Sequence, residues 1–144
     1  MGLLSMFRSD KPAKKASDDV LLLHTMLLMA GADGYLDQAE VETVEAYFTQ
    51  LPEFEGKAFG DIYGEAKKLV ARYPNLRESV KALSGLSNEK VRKKAFVLAA
   101  DLAMASGDVD ENEDELLTAM QRILEIDDGT AQKVLEVLSM RYAR

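Results

Sequence analysis

Two short acidic stretches carry the residue types from which cation chemistry is built. They are Asp33-Gly34-Tyr35-Leu36-Asp37-Gln38-Ala39-Glu40 and Ser106-Gly107-Asp108-Val109-Asp110-Glu111-Asn112-Glu113. Carboxylate oxygens are hard donors, suited to Ca²⁺ or Mg²⁺ rather than zinc. The first stretch matches the second half of an EF-hand loop, with Asp33 at the fifth loop position, Gly34 at the sixth and Glu40 at the twelfth. The first half of that loop is missing. Its first and third positions would be Met29 and Gly31 in one stretch, and Leu102 and Met104 in the other, none with a side-chain oxygen. An ordinary EF-hand is therefore excluded, and a half-site remains that gains strength if the two turns share an ion. The candidate metal ligands are Asp33, Asp37 and Glu40 in the first turn, and Asp108, Asp110 and Glu113 in the second.

The same residues have a purely structural use. Gly34 and Gly107 suit the left-handed position that ends a helix, while Asp37 and Asp110 suit the N-cap of the next one. Glu40 and Glu113 then stand at N3 and complete a capping box. Capping leaves Asp33 unexplained, and it leaves the density of the second turn unexplained as well. Asp108, Asp110, Glu111, Glu113, Asp114 and Glu115 follow one another without a base. Near pairs of such charges repel by about 1 kcal/mol at a surface, a cost that a bound cation or a basic partner would remove.

The elements that must position these turns are helices. Asp18 to Ala32 is apolar on nearly every side, with Ser17 as a fitting N-cap, and such a helix must be surrounded by others. A second helix, about Gln38 to Leu51, places Val41, Val44, Phe48 and Leu51 on one stripe before Pro52. The spacing predicts a third over about Lys57 to Tyr73, a short fourth near Leu76 to Leu83, and a fifth from Ser87 or Asn88 to Ala105. A sixth carries Leu116, Leu117, Met120, Ile123 and Leu124, and a seventh begins after Asp127. The expected fold class is all-α, about seven helices in a compact bundle.

A shift of 73 residues lays the first two helices over the fifth and sixth. Ala30, Ala32, Gly34, Asp37, Glu40, Glu42, Ala46 and Leu51 meet Ala103, Ala105, Gly107, Asp110, Glu113, Glu115, Ala119 and Leu124. Two pseudo-repeated helical hairpins result, and their apolar first helices are expected to pack together.

The chain has 144 residues, 47% of them apolar, enough for one domain with its own core. Cysteine is absent, which excludes disulfides, zinc-thiolate clusters and thiol catalysis, and fits a reducing, cytoplasmic setting. Net charge is −7, but the first 16 residues carry Arg8, Lys11, Lys14 and Lys15 against Asp10 alone, a balance of +3 that leaves −10 on the rest. An acidic body of this kind repels phosphate backbones and disfavours nucleic acid. Residues 1–16 read as a flexible basic and apolar tail, and 17–144 as the helical domain. No run reaches the ~18 apolar residues needed to span a bilayer. The apolar start of the tail, with its bases, gives a sharper reading as a short foot on an anionic membrane.

The paired Asp-Gly hairpins in an all-helical body resemble the TerB family of bacterial tellurite-resistance proteins, and the TerB-like domain attached to some membrane-bound J-domain co-chaperones. The resemblance covers about residues 17–142. It implies a seven-helix fold with pseudo-repeats, clustered acids that bind divalent metal, no catalytic activity, and work in stress-response complexes with membrane-embedded companions. The family's first motif maps onto Asp33, Gly34 and Glu40, and its second onto Gly107 and Glu113. Ser106 replaces the family's Asp before the second glycine, so Asp108 and Asp110 would have to compensate there.

Outside the turns, His24 is the only histidine and reads as a core residue. Asp101 interrupts the apolar fifth helix and calls for a hydrogen bond or a cation. Phosphate loops, nucleophile elbows and zinc-protease helices are absent from the sequence, and the chain is expected not to be an enzyme. The expectation is a non-catalytic TerB-like stress-response module that binds a divalent cation (Ca²⁺ or Mg²⁺) and docks protein partners, cytoplasmic or peripheral at the inner membrane. The alternative is an interaction scaffold whose acids serve as caps and as a docking face, with no metal.

Overall fold

A computed structural model describes residues 16–143. Ten consecutive residues from Val20 to Met29 are buried, so α1 (Asp18–Ala30) is an axis wrapped on all sides. Around it stand α2 (Gln38–Phe48), α3 (Phe59–Val70), α4 (Glu89–Ala105) and α5 (Glu111–Ile123), while α6 (Asp128–Arg141) lies against α4. The most extensive pairing in the bundle is α1 with α4. Ala95, Ala99 and Ala103 recur every fourth residue along α4, each fully buried, and small side chains at that spacing let helix axes approach closely. The pseudo-repeated hairpins, α1–α2 and α4–α5, therefore meet through their first helices, as the repeat requires.

Several expected boundaries move: the first helix ends at Ala30 rather than Ala32, and the third spans Phe59–Val70 rather than Lys57–Tyr73. The second helix ends at Phe48 rather than Leu51, and a 3-10 turn over Pro52–Phe54 follows it. Aromatic packing sets this corner: Phe48 stacks on Phe54 at 4.2 Å and meets Phe59 edge-on at 5.2 Å, which ties α2 to the start of α3. The segment after Pro74 is a 3-10 helix over Arg77–Gly85 rather than an α-helix. Asn75 accepts the amide of Glu78 at 2.8 Å, and the hydroxyls of Ser79 and Ser84 bond the carbonyls of Leu76 and Lys81, three residues back. Serine hydroxyls that compete for these carbonyls favour the tighter turn. Among the described residues there is no strand, and no helix is long and apolar enough to cross a membrane. The expected tail, residues 1–16, lies outside the described residues except for Ala16, which packs against the core.

Candidate functional site

Each acidic stretch folds into the same bend. Gly34 has φ +115° and Gly107 φ +112°, a backbone region that side chains rarely adopt, and a Cβ on Gly34 would meet nothing within 4 Å. Conformation alone therefore selects that glycine. Beyond each glycine a complete capping box starts the next helix. Asp37 Oδ1 accepts the Glu40 amide at 2.8 Å while Glu40 Oε1 accepts the Asp37 amide at 2.9 Å. In the second bend Asp110 Oδ1 accepts the Glu113 amide at 2.8 Å, and Glu113 Oε1 accepts the Asp110 amide at 3.0 Å. Four of the six candidate ligands thus spend one carboxylate oxygen on a backbone amide and keep the other. Asp33 and Asp108 lie exposed just before their caps.

The two bends share one end of the molecule. Gly31, at the end of α1, has Leu76 Cδ2 within 2.9 Å of where a Cβ would stand, so the chain at Leu76 sits tight against the first bend. The next residue, Arg77, donates from Nη2 to Glu115 Oε1 at 2.7 Å, near the start of α5. Leu76–Arg77 therefore spans from one bend to the other. Among the described residues, however, no group of three or more His, Cys, Asp or Glu side chains converges closely enough to hold a metal ion.

The electrostatics are lopsided. Ten acids occupy this pole, counting Asp33, Asp37, Glu40 and Glu42 in the first hairpin and the six from Asp108 to Glu115 in the second. Among the described residues only Glu115 of these ten has an ion-pair partner, Arg77. Burial pushes the Glu113 carboxyl above its ordinary range, and the neighbouring Asp110 charge adds to the rise, although the Asp110 amide opposes it. Beside the first bend an apolar cleft of about 330 Å³ opens between Leu27, Leu36, Tyr63, Ala66, Val70 and Leu76. Lys67 stands at its rim with Nζ 4.8 Å from the centre of the Tyr63 ring.

Sequence reasoning missed Arg77, Gly31 and the cleft. Arg77 follows a Pro74-Asn75 turn, but its approach to α5 depends on the packing of a segment whose helix type was itself misread. Asp101 behaves as expected of an inward acid: Tyr142 donates its hydroxyl to Oδ1, and Arg141 Nε lies 3.5 Å away. Tyr47 joins this cluster through Tyr142, and burial, that bond and the Asp101 charge drive its phenol well above the ordinary range. His24 is fully buried, as expected, but only half satisfied, since Nδ1 has no partner among the described residues.

The chain is thus an all-helical bundle whose two acidic hairpins each close on a capping box. The family described as Tellurite resistance protein TerB matches residues 20–135, and the chain belongs to this family. No curated protein and no solved structure matches the chain.

Proposed function

We propose that this TerB-family chain is a non-catalytic, cytosolic module of the tellurite-resistance type that works by docking a basic protein partner across its acidic pole. The observation that carries the reading is the juxtaposition of both bends at one end with nine acids lacking an ion-pair partner among the described residues. A partner bearing lysines or arginines would relieve that repulsion, and the adjacent cleft would take one of its apolar side chains. Membership of the family supports the absence of catalysis.

A second reading, a divalent cation held by Asp33, Asp37, Glu40, Asp108, Asp110 and Glu113, is favoured by the oxygen that each capping box leaves free. Titration calorimetry separates the two. A lysine-rich peptide is expected to bind with micromolar affinity that weakens steeply with salt and falls in Asp108→Asn with Asp114→Asn. Absence of binding to that peptide at low salt defeats the docking reading. Ca²⁺, Mg²⁺, Mn²⁺ and Zn²⁺ are titrated in parallel: saturable heat below millimolar concentration, lost in Asp33→Asn with Asp110→Asn, establishes the cation reading, and its absence removes it.

A further inference from the structure

The apolar cleft beside the first bend is polarised along its length. Phe59, at the start of α3, packs on Phe48 at the end of α2, while Leu76, beyond the other end of α3, lies against Gly31. α3 therefore runs toward the bends. Its side of the cleft is the stripe Tyr63, Ala66 and Val70, at helical spacing, and Leu27, Leu36 and Leu76 supply the rest. Leu36 stands between Gly34 and the cap Asp37, and Leu76 precedes Arg77, so the acids gather at one end of the cleft. The other end carries a base. Lys67 Nζ turns back over the Tyr63 ring, one turn nearer the start of α3. Among the described residues it has no ion-pair partner, whereas the adjacent Lys68 pairs with Glu65 at 3.3 Å.

Apolar groups also stand in water beside the acids. Tyr35, next to Leu36, is 68% exposed, and Val109 is exposed in the second bend. An apolar slot with a charged rim and an exposed aromatic beside it has the anatomy of a protein-binding surface. A cavity of about 150 Å³ holds a benzene ring, so a cleft of about 330 Å³ has room for a leucine or phenylalanine side chain. Helix capping needs no such slot, and neither does the attraction of bare charge.

We infer that the cleft holds a bulky apolar anchor of the docked segment and fixes its direction. The bases of the segment lie over the bends, its leucine or phenylalanine fills the cleft, and a carboxylate beyond the anchor pairs with Lys67. The occupant is a short amphipathic segment of a partner protein, basic at one end, apolar in the middle and acidic at the other. The inference rests on the docking reading above and adds what tells one basic partner from another. Acids alone attract any polycation, while burial of an anchor discriminates by shape and the Lys67 pair by polarity.

The test is fluorescence anisotropy of the full chain at low salt with the labelled peptide Lys-Lys-Ala-Lys-Ala-Leu-Ala-Ala-Glu, made in both chain directions. It is compared with versions that carry alanine for the leucine or glutamine for the glutamate. In the tighter direction the leucine peptide is expected to bind about tenfold more tightly than the alanine one. That ratio persists at higher salt while both affinities fall. The glutamate peptide binds about twofold to fivefold more tightly than the glutamine one, and Lys67→Gln erases the difference. Ala71 lies exposed on the rim of the cleft, where a larger side chain covers the opening. Ala71→Trp is expected to cut the leucine preference to about twofold or less, with the alanine peptide and the thermal midpoint as in the parent. Leucine and alanine peptides that bind alike, or a leucine preference that survives Ala71→Trp, overturn the inference and leave the docking reading standing. Absence of binding by every peptide overturns both. A glutamate preference that persists in Lys67→Gln overturns the part assigned to Lys67. A parent chain that dimerises in sedimentation, beside an Ala71→Trp variant that does not, gives the cleft to a second copy and also overturns the inference.

Discussion

His24 Nε2 lies 3.1 Å from the carbonyl oxygen of Ser79, and this contact joins the central helix to the 3-10 segment that carries Arg77. The neutral ring donates from Nε2, which leaves Nδ1 as a buried acceptor with no donor among the described residues. Protonation would place a second N–H and a charge in the same apolar setting. Neither α2, α3, α4, α5 nor the 3-10 segment brings a charged group that offsets this: burial lowers the pKa of His24 from 6.5, and only the Ser79 bond opposes it.

A pH dependence follows. Above pH 6.5 the ring is neutral folded and unfolded, so its contribution is constant. Below that value the unfolded chain takes up the proton first, and stability falls by up to about 1.4 kcal/mol per pH unit until the lowered folded pKa is reached. Urea unfolding at a series of pH values, compared with His24→Gln, isolates this slope. The Hε1 resonance of the only histidine, followed against pH by proton NMR, checks it independently. A native His24 that titrates at 6.5 or above would refute the account.

Caps and charge can be separated at the bends. Asp37→Ala and Asp110→Ala each remove a capping acceptor and are expected to cost about 1 kcal/mol in unfolding free energy. Asp110→Asn keeps an oxygen for the Glu113 amide, so its stability stays within a few tenths of a kcal/mol while affinity for a basic peptide falls. Gly107→Ala forces a side chain into φ +112° and is expected to cost about 1 kcal/mol or more. Equal losses in the Asn and Ala variants would show that charge rather than the cap is responsible.

Much of this was legible in the sequence, and the misses share a cause. The bends could be read because a capping box is local: Asp110, Glu113 and the preceding glycine lie within seven residues, and their partners are their own amides. Asp101 could be read because an acid in an apolar helix needs a partner, although nothing named Tyr142, 41 residues away. Ser17 illustrates the limit of local rules. It occupies the N-cap as expected, but its hydroxyl bonds Asp19, and Asp19 takes the Val20 amide and Lys57. The proximity of the bends could not be read at all. It depends on Leu76 filling the space left by Gly31 and on Arg77 reaching Glu115, contacts set by packing rather than by spacing.

Tyr142→Phe tests the cluster that holds the last helix. The substitution removes the hydroxyl that Asp101 accepts and leaves the carboxylate, 17% exposed, with Arg141 alone. A lost hydrogen bond to a partly buried charge is expected to cost about 1 to 2 kcal/mol. Circular dichroism should show the helical content retained at low temperature, with the midpoint of thermal unfolding lowered. Asp101→Asn in the Tyr142→Phe background should cost less than in the parent, because the bond it would weaken is already gone. Additive losses would mean the two residues do not act together.

Arg77 offers the sharpest view of the acidic pole. Its ion pair with Glu115 is exposed on both sides, 46% and 55%, so breaking it in Arg77→Gln is expected to change stability by no more than about 1 kcal/mol. Its effect on binding should be larger, because it is a fixed positive charge standing between two bends that carry ten carboxylates. Removing it frees Glu115 and deepens the negative potential, so affinity for a lysine-rich peptide should rise about threefold to tenfold at low salt and converge with the parent at high salt. Titration calorimetry of both proteins at two ionic strengths measures this. Affinity that falls in Arg77→Gln would mean that the bridge from Leu76–Arg77 to α5 organises the docking surface, and that its charge is secondary.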